Sequence, residues 1–132
     1  MPECSIGLVP DVGGSNILAH APGHIGSYLG LTGQRMSAGD AIYVGFADNF
    51  IEQKNWAKIT QELEETGDIE ILNTYYKPAP EGGLKAQLNM INKFFDTPIL
   101  EDIVARLMYD ESEFAQKALK LMSQNSPLSM AC

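Results

Sequence analysis

The six residues Pro78-Ala79-Pro80-Glu81-Gly82-Gly83 suit neither a helix nor a strand ladder, because proline lacks an amide donor and glycine loses the most backbone freedom on ordering. They mark a linker, and the chain beyond it reads as helix. Apolar residues fit three helical patterns, over 84–95, 98–109 and 112–124, the second with Thr97 as its expected cap and Pro98 in its first turn. Met90, Met108, Met122, Phe94, Phe95 and Phe114 fall on the apolar faces of these patterns and are expected in the core. Ahead of the linker, Trp56, Ile59 and Leu63 recur at helical spacing between Gln53 and Thr66, with Glu62, Glu64 and Glu65 on a solvated face. Residues 67–77 are ambiguous. Asp68 would cap a helix, whereas Ile69, Ile71 and the paired tyrosines also suit a strand; helix is the preferred reading.

Nearer the start, residues 1–11 read as a strand end and turn. Gly13 and Gly14 then introduce a helical pattern with Ile17, Leu18 and Ala21, which Pro22-Gly23 breaks. A second helix is expected over 24–32 with Gly33 as its stop, and a third over 38–44, capped by Ser37 and ended by Gly45. "FADNFI", 46–51, fits a short strand. The chain is therefore expected to be mainly α-helical with one or two short strands. Ser126-Pro127 announces a further helix with five residues left to form it, and a strand end at the front has no sheet to join. The reading is of a piece of a longer protein.

A length of 132 residues sets one hydrophobic core as the expectation. Nine basic against 17 acidic residues give a net charge of -8, which repels phosphate backbones and anionic membrane surfaces, so nucleic acid is not an expected partner. No apolar run approaches the roughly 18 residues needed to span a bilayer. A basic region followed by an apolar run is also missing from the front, so neither a membrane nor export is expected. Cys4 and Cys132 lack the number and spacing of a disulfide framework or zinc site, and are read as free thiols of a cytoplasmic protein.

Chemistry concentrates in "PECSIGLVPDVGGS", 2–15, where Glu3 and Asp11 flank a small apolar run. A fully extended chain would hold them about 27 Å apart, so a shared site requires the chain to fold back. Gly7 and Pro10 permit a bend, and Gly13-Gly14 permits positive φ. Two carboxylates meeting in a poorly hydrated pocket would push their pKa values apart, leaving one as base or nucleophile and the other as proton carrier. The alternative is two loop acids, one of them capping a helix.

The pattern formed by Pro2, Glu3, Ile6, Gly7, Leu8, Pro10, Asp11, Gly13 and Gly14 resembles the second active-site segment of the crotonase (enoyl-CoA hydratase/isomerase) superfamily. Asp at position 11 is similar to its 3-hydroxyisobutyryl-CoA hydrolase branch. "LTGQRMSAGDAIYVGFADNFI", 31–51, is similar to the family's next segment, and "INKFF" and "SQNSPLSM" to the later helical region of that branch. The resemblance implies a parent α/β crotonase-like fold, with residues 1–51 as the C-terminal part of its core and 52–132 as a helical C-terminal region. It implies Glu3 and Asp11 as the catalytic and substrate-binding carboxylates of an acyl-CoA thioester hydrolase. Glu3 would attack the thioester carbonyl or activate a water, and Asp11 would assist by orientation or proton transfer. An enoyl-CoA hydratase or isomerase with an unusual aspartate is the alternative, and a non-catalytic helical interaction module a third reading. The family's oxyanion-stabilising amides belong to segments that lie before this point, so the chain alone is expected to be inactive. Coenzyme A enters as part of the substrate and no cofactor is expected; association through the C-terminal helices is a possible route to a homo-oligomer.

Three other features are weighed against simpler readings. Gly13-Gly14-Ser15 at a helix start could cradle a phosphate, but a single glycine pair reads first as a turn. His20 and His24 straddle Pro22-Gly23 and lack a carboxylate cluster, so no metal is expected. Cys4 beside Glu3 has no histidine in a recognised relation and reads as a small buried residue.

Overall fold

The computed structural model describes residues 3–131. Its described residues form eight α-helices: α1 Gly14–Ala19, α2 Ile25–Thr32, α3 Ala38–Tyr43, α4 Trp56–Thr66, α5 Leu84–Phe95, α6 Leu100–Met108, α7 Glu113–Met122 and α8 Pro127–Ala131. Tighter 3-10 turns occupy Glu3–Ile6, Gln53–Asn55 and Ile69–Thr74. The expected strand end at the front is thus a 3-10 turn.

The helix ends obey the punctuation in the sequence. α2 stops at Gly33, whose φ of 62° lets its amide donate to the Leu29 carbonyl at 3.0 Å. Asp68 does cap its segment, accepting from the Glu70 amide at 2.9 Å, but the product is the 3-10 turn Ile69–Thr74 rather than an α-helix. Ser112 caps α7 through Ala115. Thr97 behaves differently from the cap expected of it. Its hydroxyl accepts from the Ile99 amide at 3.2 Å in a local turn, and α6 begins only at Leu100 behind the uncapped Ile99.

α2 lies at the centre of the packing, against α1, α5 and α7, while α6 packs on α5 and α7 and α3 on α5. Ile25, Tyr28 and Leu29 of α2 meet Ile91, Phe94 and Phe95 of α5, with Ile103, Leu107, Ala115, Ala118 and Met122 completing the core. The Tyr28 ring sits edge-on to Phe95 with centroids 5.3 Å apart and stacks on Phe114 at 5.5 Å. Its hydroxyl donates to Gln34 Oε1, and burial pushes the phenol pKa up to about 12. Met108 departs from the expected core. Ile103 and Leu107 define the buried stripe of α6, and one residue further the helix has turned by about 100°, which puts Met108 in solvent.

Residues 50–77 form an excursion. α4 packs on its flanking 3-10 turns, and of Trp56, Ile59 and Leu63 only Ile59 is buried. The excursion is closed at its base by a single bridge in which the Lys77 amide donates to the Phe50 carbonyl at 3.0 Å. That bridge is all that remains of the expected strand at 46–51, because the amides of Phe46 and Ala47 turn back onto the Ala41 carbonyl at 2.8 and 3.2 Å. Glu62 is more than a solvated acid, since its Oε2 accepts from the Tyr75 hydroxyl at 2.8 Å.

Two ties set the position of the first residues. α8 packs on the turn Glu3–Ile6, the Ser126 amide donating to the Cys4 carbonyl at 2.8 Å and the Cys4 thiol to the Ser129 carbonyl at 3.7 Å. Asn125 Nδ2 donates to the Leu31 carbonyl at 2.7 Å, joining the end of α2 to the approach of α8.

Candidate active site

The segment that carries both sequence-singled carboxylates reverses direction twice. The Leu8 amide donates back to the Glu3 carbonyl at 2.9 Å, a closure that Gly7 permits with φ of 81°. The Gly14 amide then donates to the Asp11 carbonyl at 2.6 Å, turning the chain into α1. Within the second reversal stands Val12, with φ of 46°, a conformation that a β-branched side chain rarely adopts. The chain therefore turns twice between Glu3 and Gly14.

Glu3 is half-buried at the start of the segment, and Asp11 is exposed at its far end. Among the described residues Glu3 Oε2 is shut away from solvent with no hydrogen-bond partner. Buried carboxylate oxygens are ordinarily hydrogen-bonded, so an oxygen in that state is an exception among buried polar atoms. The two carboxylates thus lie on one turning segment in unlike surroundings, one half-buried and the other exposed.

The neighbouring thiol is not a second nucleophile. Burial raises the Cys4 pKa, and the negative charge of Glu3 raises it further, which keeps the sulfur protonated. Its role is packing beneath α8. Cys132 lies outside the described residues.

A cleft of about 510 Å³ is lined by Cys4 and Pro10 of the segment, Ser27 and Gly30 of α2, Ile103 of α6 and Met130 of α8, with neither Glu3 nor Asp11 in its walls. The sequence reading did not find this cleft. Its walls come from four separate stretches of chain, and only tertiary packing assembles them. The small residues of α2 also serve helix contact, for a Cβ on Gly26 would lie 1.9 Å from the Leu18 carbonyl oxygen.

The remaining candidates resolve simply. Gly13 caps α1 with φ of 83° and no side-chain bond, and the helix it starts is six residues long. His20 Nδ1 lies 2.7 Å from the Asn16 carbonyl, and the His24 amide donates to Asn92 Oδ1 at 2.9 Å. Among the described residues no group of three or more His, Cys, Asp or Glu is placed to hold a metal ion.

A family model described as enoyl-CoA hydratase/isomerase matches residues 1–132. The chain belongs to this family. Among the curated members, the protein named 3-hydroxyisobutyryl-CoA hydrolase, mitochondrial, from Xenopus tropicalis is 34% identical across 98% of this chain, which spans 37% of that protein. The human protein of the same name is 30% identical over 98% of the chain and 36% of its own length. Two solved family structures superpose on nearly the whole chain. One, titled an enoyl-CoA hydratase from Rhodobacter sphaeroides, gives a TM-score of 0.87 at 46% identity, covering 99% of this chain and 37% of that one. The other, titled a carnitinyl-CoA dehydratase from Mycobacterium thermoresistibile, gives 0.89 at 32% identity, covering 99% and 38%. The crotonase-like parent fold expected from the motif is thereby shown, and the chain supplies a mainly helical part of it. In all it spans little more than a third of the length of the relatives it matches.

Proposed function

We propose that this chain is the carboxylate-bearing part of an acyl-CoA thioester hydrolase acting on 3-hydroxyisobutyryl-CoA or a close β-hydroxyacyl-CoA. The observation that carries the reading is Glu3, whose buried Oε2 has no partner among the described residues and which occupies the family motif's acidic position. Curated relatives named as that hydrolase, 30% and 34% identical over almost the whole chain, support it.

In the proposed reaction a Glu3 carboxylate oxygen adds to the thioester carbonyl, and the C–S bond breaks to release the CoA thiolate, leaving a mixed anhydride. Water then adds to the anhydride, Asp11 takes its proton, and the free acid departs as Glu3 is regenerated. The proton passes on to the thiolate, so atoms and charge balance. In the variant of this route Glu3 instead removes a proton from a water that attacks the thioester directly. Either way the exposed Asp11 is the proposed proton carrier and the half-buried Glu3 the proposed reacting group. Donors to the developing oxyanion are proposed to come from the part of the family fold that this chain does not span.

The Rhodobacter sphaeroides neighbour, named an enoyl-CoA hydratase and 46% identical, favours a second reading in which the same carboxylates add water across a double bond. Products separate the two. A polypeptide joining this chain to the rest of the family fold is expected to release free CoA thiol from 3-hydroxyisobutyryl-CoA, measured with a disulfide chromogen. Hydration of crotonyl-CoA without thiol release would favour the second reading instead. The chain on its own is expected to do neither.

A further inference from the structure

We propose that residues 50–77 form an arm that moves as one unit and gates the cavity at its foot. Among the described residues, the hydrogen bonds and ion pairs made by this stretch all close within it. Lys77 Nζ reaches Glu52 Oε2 at 2.5 Å, Lys58 Nζ reaches Glu62 Oε1 at 3.5 Å, the Tyr75 hydroxyl donates to Glu62, and the Lys77 amide donates to the Phe50 carbonyl. Its apolar residues are separate too. The hydrophobic core holds none of residues 50–77, although Ile59 is buried. α4 packs instead on the turns Gln53–Asn55 and Ile69–Thr74. A stretch with its own contacts and few to the main body opens at a lower free energy than the whole molecule.

Both feet of the arm stand on α3. On one side the amides of Phe46 and Ala47 donate to the Ala41 carbonyl. On the other, Asp40 Oδ1 accepts from the Leu84 amide at 2.7 Å, and Gly39 lies so close beneath Pro80 that a Cβ there would sit 2.0 Å from the Pro80 carbonyl oxygen. Between these anchors and the arm, residues 48–49 and 78–79 make no hydrogen bond among the described residues. They are the hinges.

A cavity of about 670 Å³ lies at this foot, with Asp48, Asn49 and Phe50 on one leg, Lys77 and Pro78 on the other, and Ile42 of α3 in its wall. Its volume falls in the range of small-molecule sites. Because both legs form walls of the cavity, pivoting at the hinges changes its width. The arm and the cavity owe nothing to the chemistry proposed for Glu3, so the two proposals can fail separately.

Hydrogen exchange read by mass spectrometry tests the arm, in this chain and in a polypeptide that joins it to the rest of the family fold. In both, the α4 amides are expected to exchange together, about tenfold or more faster than those of α5 after correction for intrinsic rates. Ile59→Ala should speed α4 by about a further tenfold or more and leave α5 unchanged. Glu52→Gln, which weakens the tie to Lys77, should speed α4 by about two- to fivefold. For the gate, Ile42→Cys should react with a maleimide about threefold or more faster once Ile59→Ala is added, as timed by peptide mass spectrometry. Exchange of α4 at the α5 rate in the joined polypeptide, or equal acceleration of both helices by Ile59→Ala, would overturn the arm as a unit. Labelling at position 42 that Ile59→Ala leaves unchanged would overturn the gate.

Discussion

Replacing Asp40 by alanine should cost more stability than any other single change to an acidic residue in this chain. Asp40 is buried, and it serves two helix starts at once. Its Oδ2 accepts from the Ser37 amide at 3.2 Å and from the Ser37 hydroxyl at 2.9 Å, while its own amide donates to Ser37 Oγ at 3.1 Å, which closes a capping box on α3. Its Oδ1 accepts from the Leu84 amide at 2.7 Å, at the first residue of α5. Glycine makes this possible, because a Cβ on Gly82 would lie 2.2 Å from Asp40 Oδ1 and one on Gly39 2.0 Å from the Pro80 carbonyl. Alanine at position 40 leaves the buried Leu84 amide without an acceptor, at about 1–3 kcal/mol, and removes the carboxylate half of the α3 capping box, the Ser37 amide and hydroxyl losing their acceptor at about 1 kcal/mol while Ser37 Oγ still caps the helix. The sum is about 3 kcal/mol, a large share of the 5–15 kcal/mol typical of a domain. In urea, with a slope of about 1.5 kcal/mol per molar, the midpoint should fall by about 2 M. Asp40→Asn keeps an acceptor oxygen and should lose roughly half as much.

The pH dependence of this difference comes from the charge. Burial alone would raise the Asp40 pKa, but the Leu84 amide and the hydroxyl and amide of Ser37 together hold it below the ordinary value. The carboxylate's contribution is therefore complete above the unfolded-state pKa and is lost as pH falls through the lower folded-state value. The deficit of Asp40→Ala should be largest at neutral pH and should shrink below about pH 4. A neutral-pH loss under about 1 kcal/mol, or Asp40→Asn as damaging as Asp40→Ala, would refute the clamp.

The packing predicts two further outcomes. Gly26→Ala would force α2 off α1, since the new methyl meets the Leu18 carbonyl carbon at 2.7 Å and its oxygen at 1.9 Å; a loss of about 2–3 kcal/mol by urea titration is expected, and a near-neutral variant would contradict the close crossing. Tyr28→Phe removes the phenol that burial pushes up to about 12, a shift whose stabilising effect is present below about pH 10 and lost between pH 10 and 12. The variant should forfeit about 1 kcal/mol at pH 7 with the Gln34 hydrogen bond, yet show a flatter alkaline limb in melts from pH 9 to 12; an unchanged limb would exclude Tyr28 as its source.

The sequence was most legible where local chemistry decides the outcome. Gly33, Ser37 and Asp68 act at the helix and turn boundaries as their residue types require, and the apolar period of 84–95 matches α5 residue for residue. The reading failed where a second element intervened. The stretch 46–51 carries strand-like residues, yet the amides of Phe46 and Ala47 are claimed by Ala41 and its one bridge among the described residues joins Phe50 to Lys77. Met108 fits a helical apolar pattern, yet the stripe chosen by Ile103 and Leu107 excludes it. For the candidate site, the fold-back of residues 3–14 was visible in Gly7 and the Gly13-Gly14 pair. The unpartnered Glu3 oxygen, the strained Val12 and the cleft beside Cys4 and Pro10 were not, because each depends on what lies next to it in space.

The claim on which the functional account stands is that Glu3 does the chemistry on the acyl carbon. Glu3→Gln, made in a polypeptide that joins this chain to the rest of the family fold, keeps the side chain's shape while removing its charge and basicity. Steady-state release of CoA thiol should fall by about 10³-fold with the melting temperature unchanged. Thiol release retained within a few-fold of the parent would contradict the account.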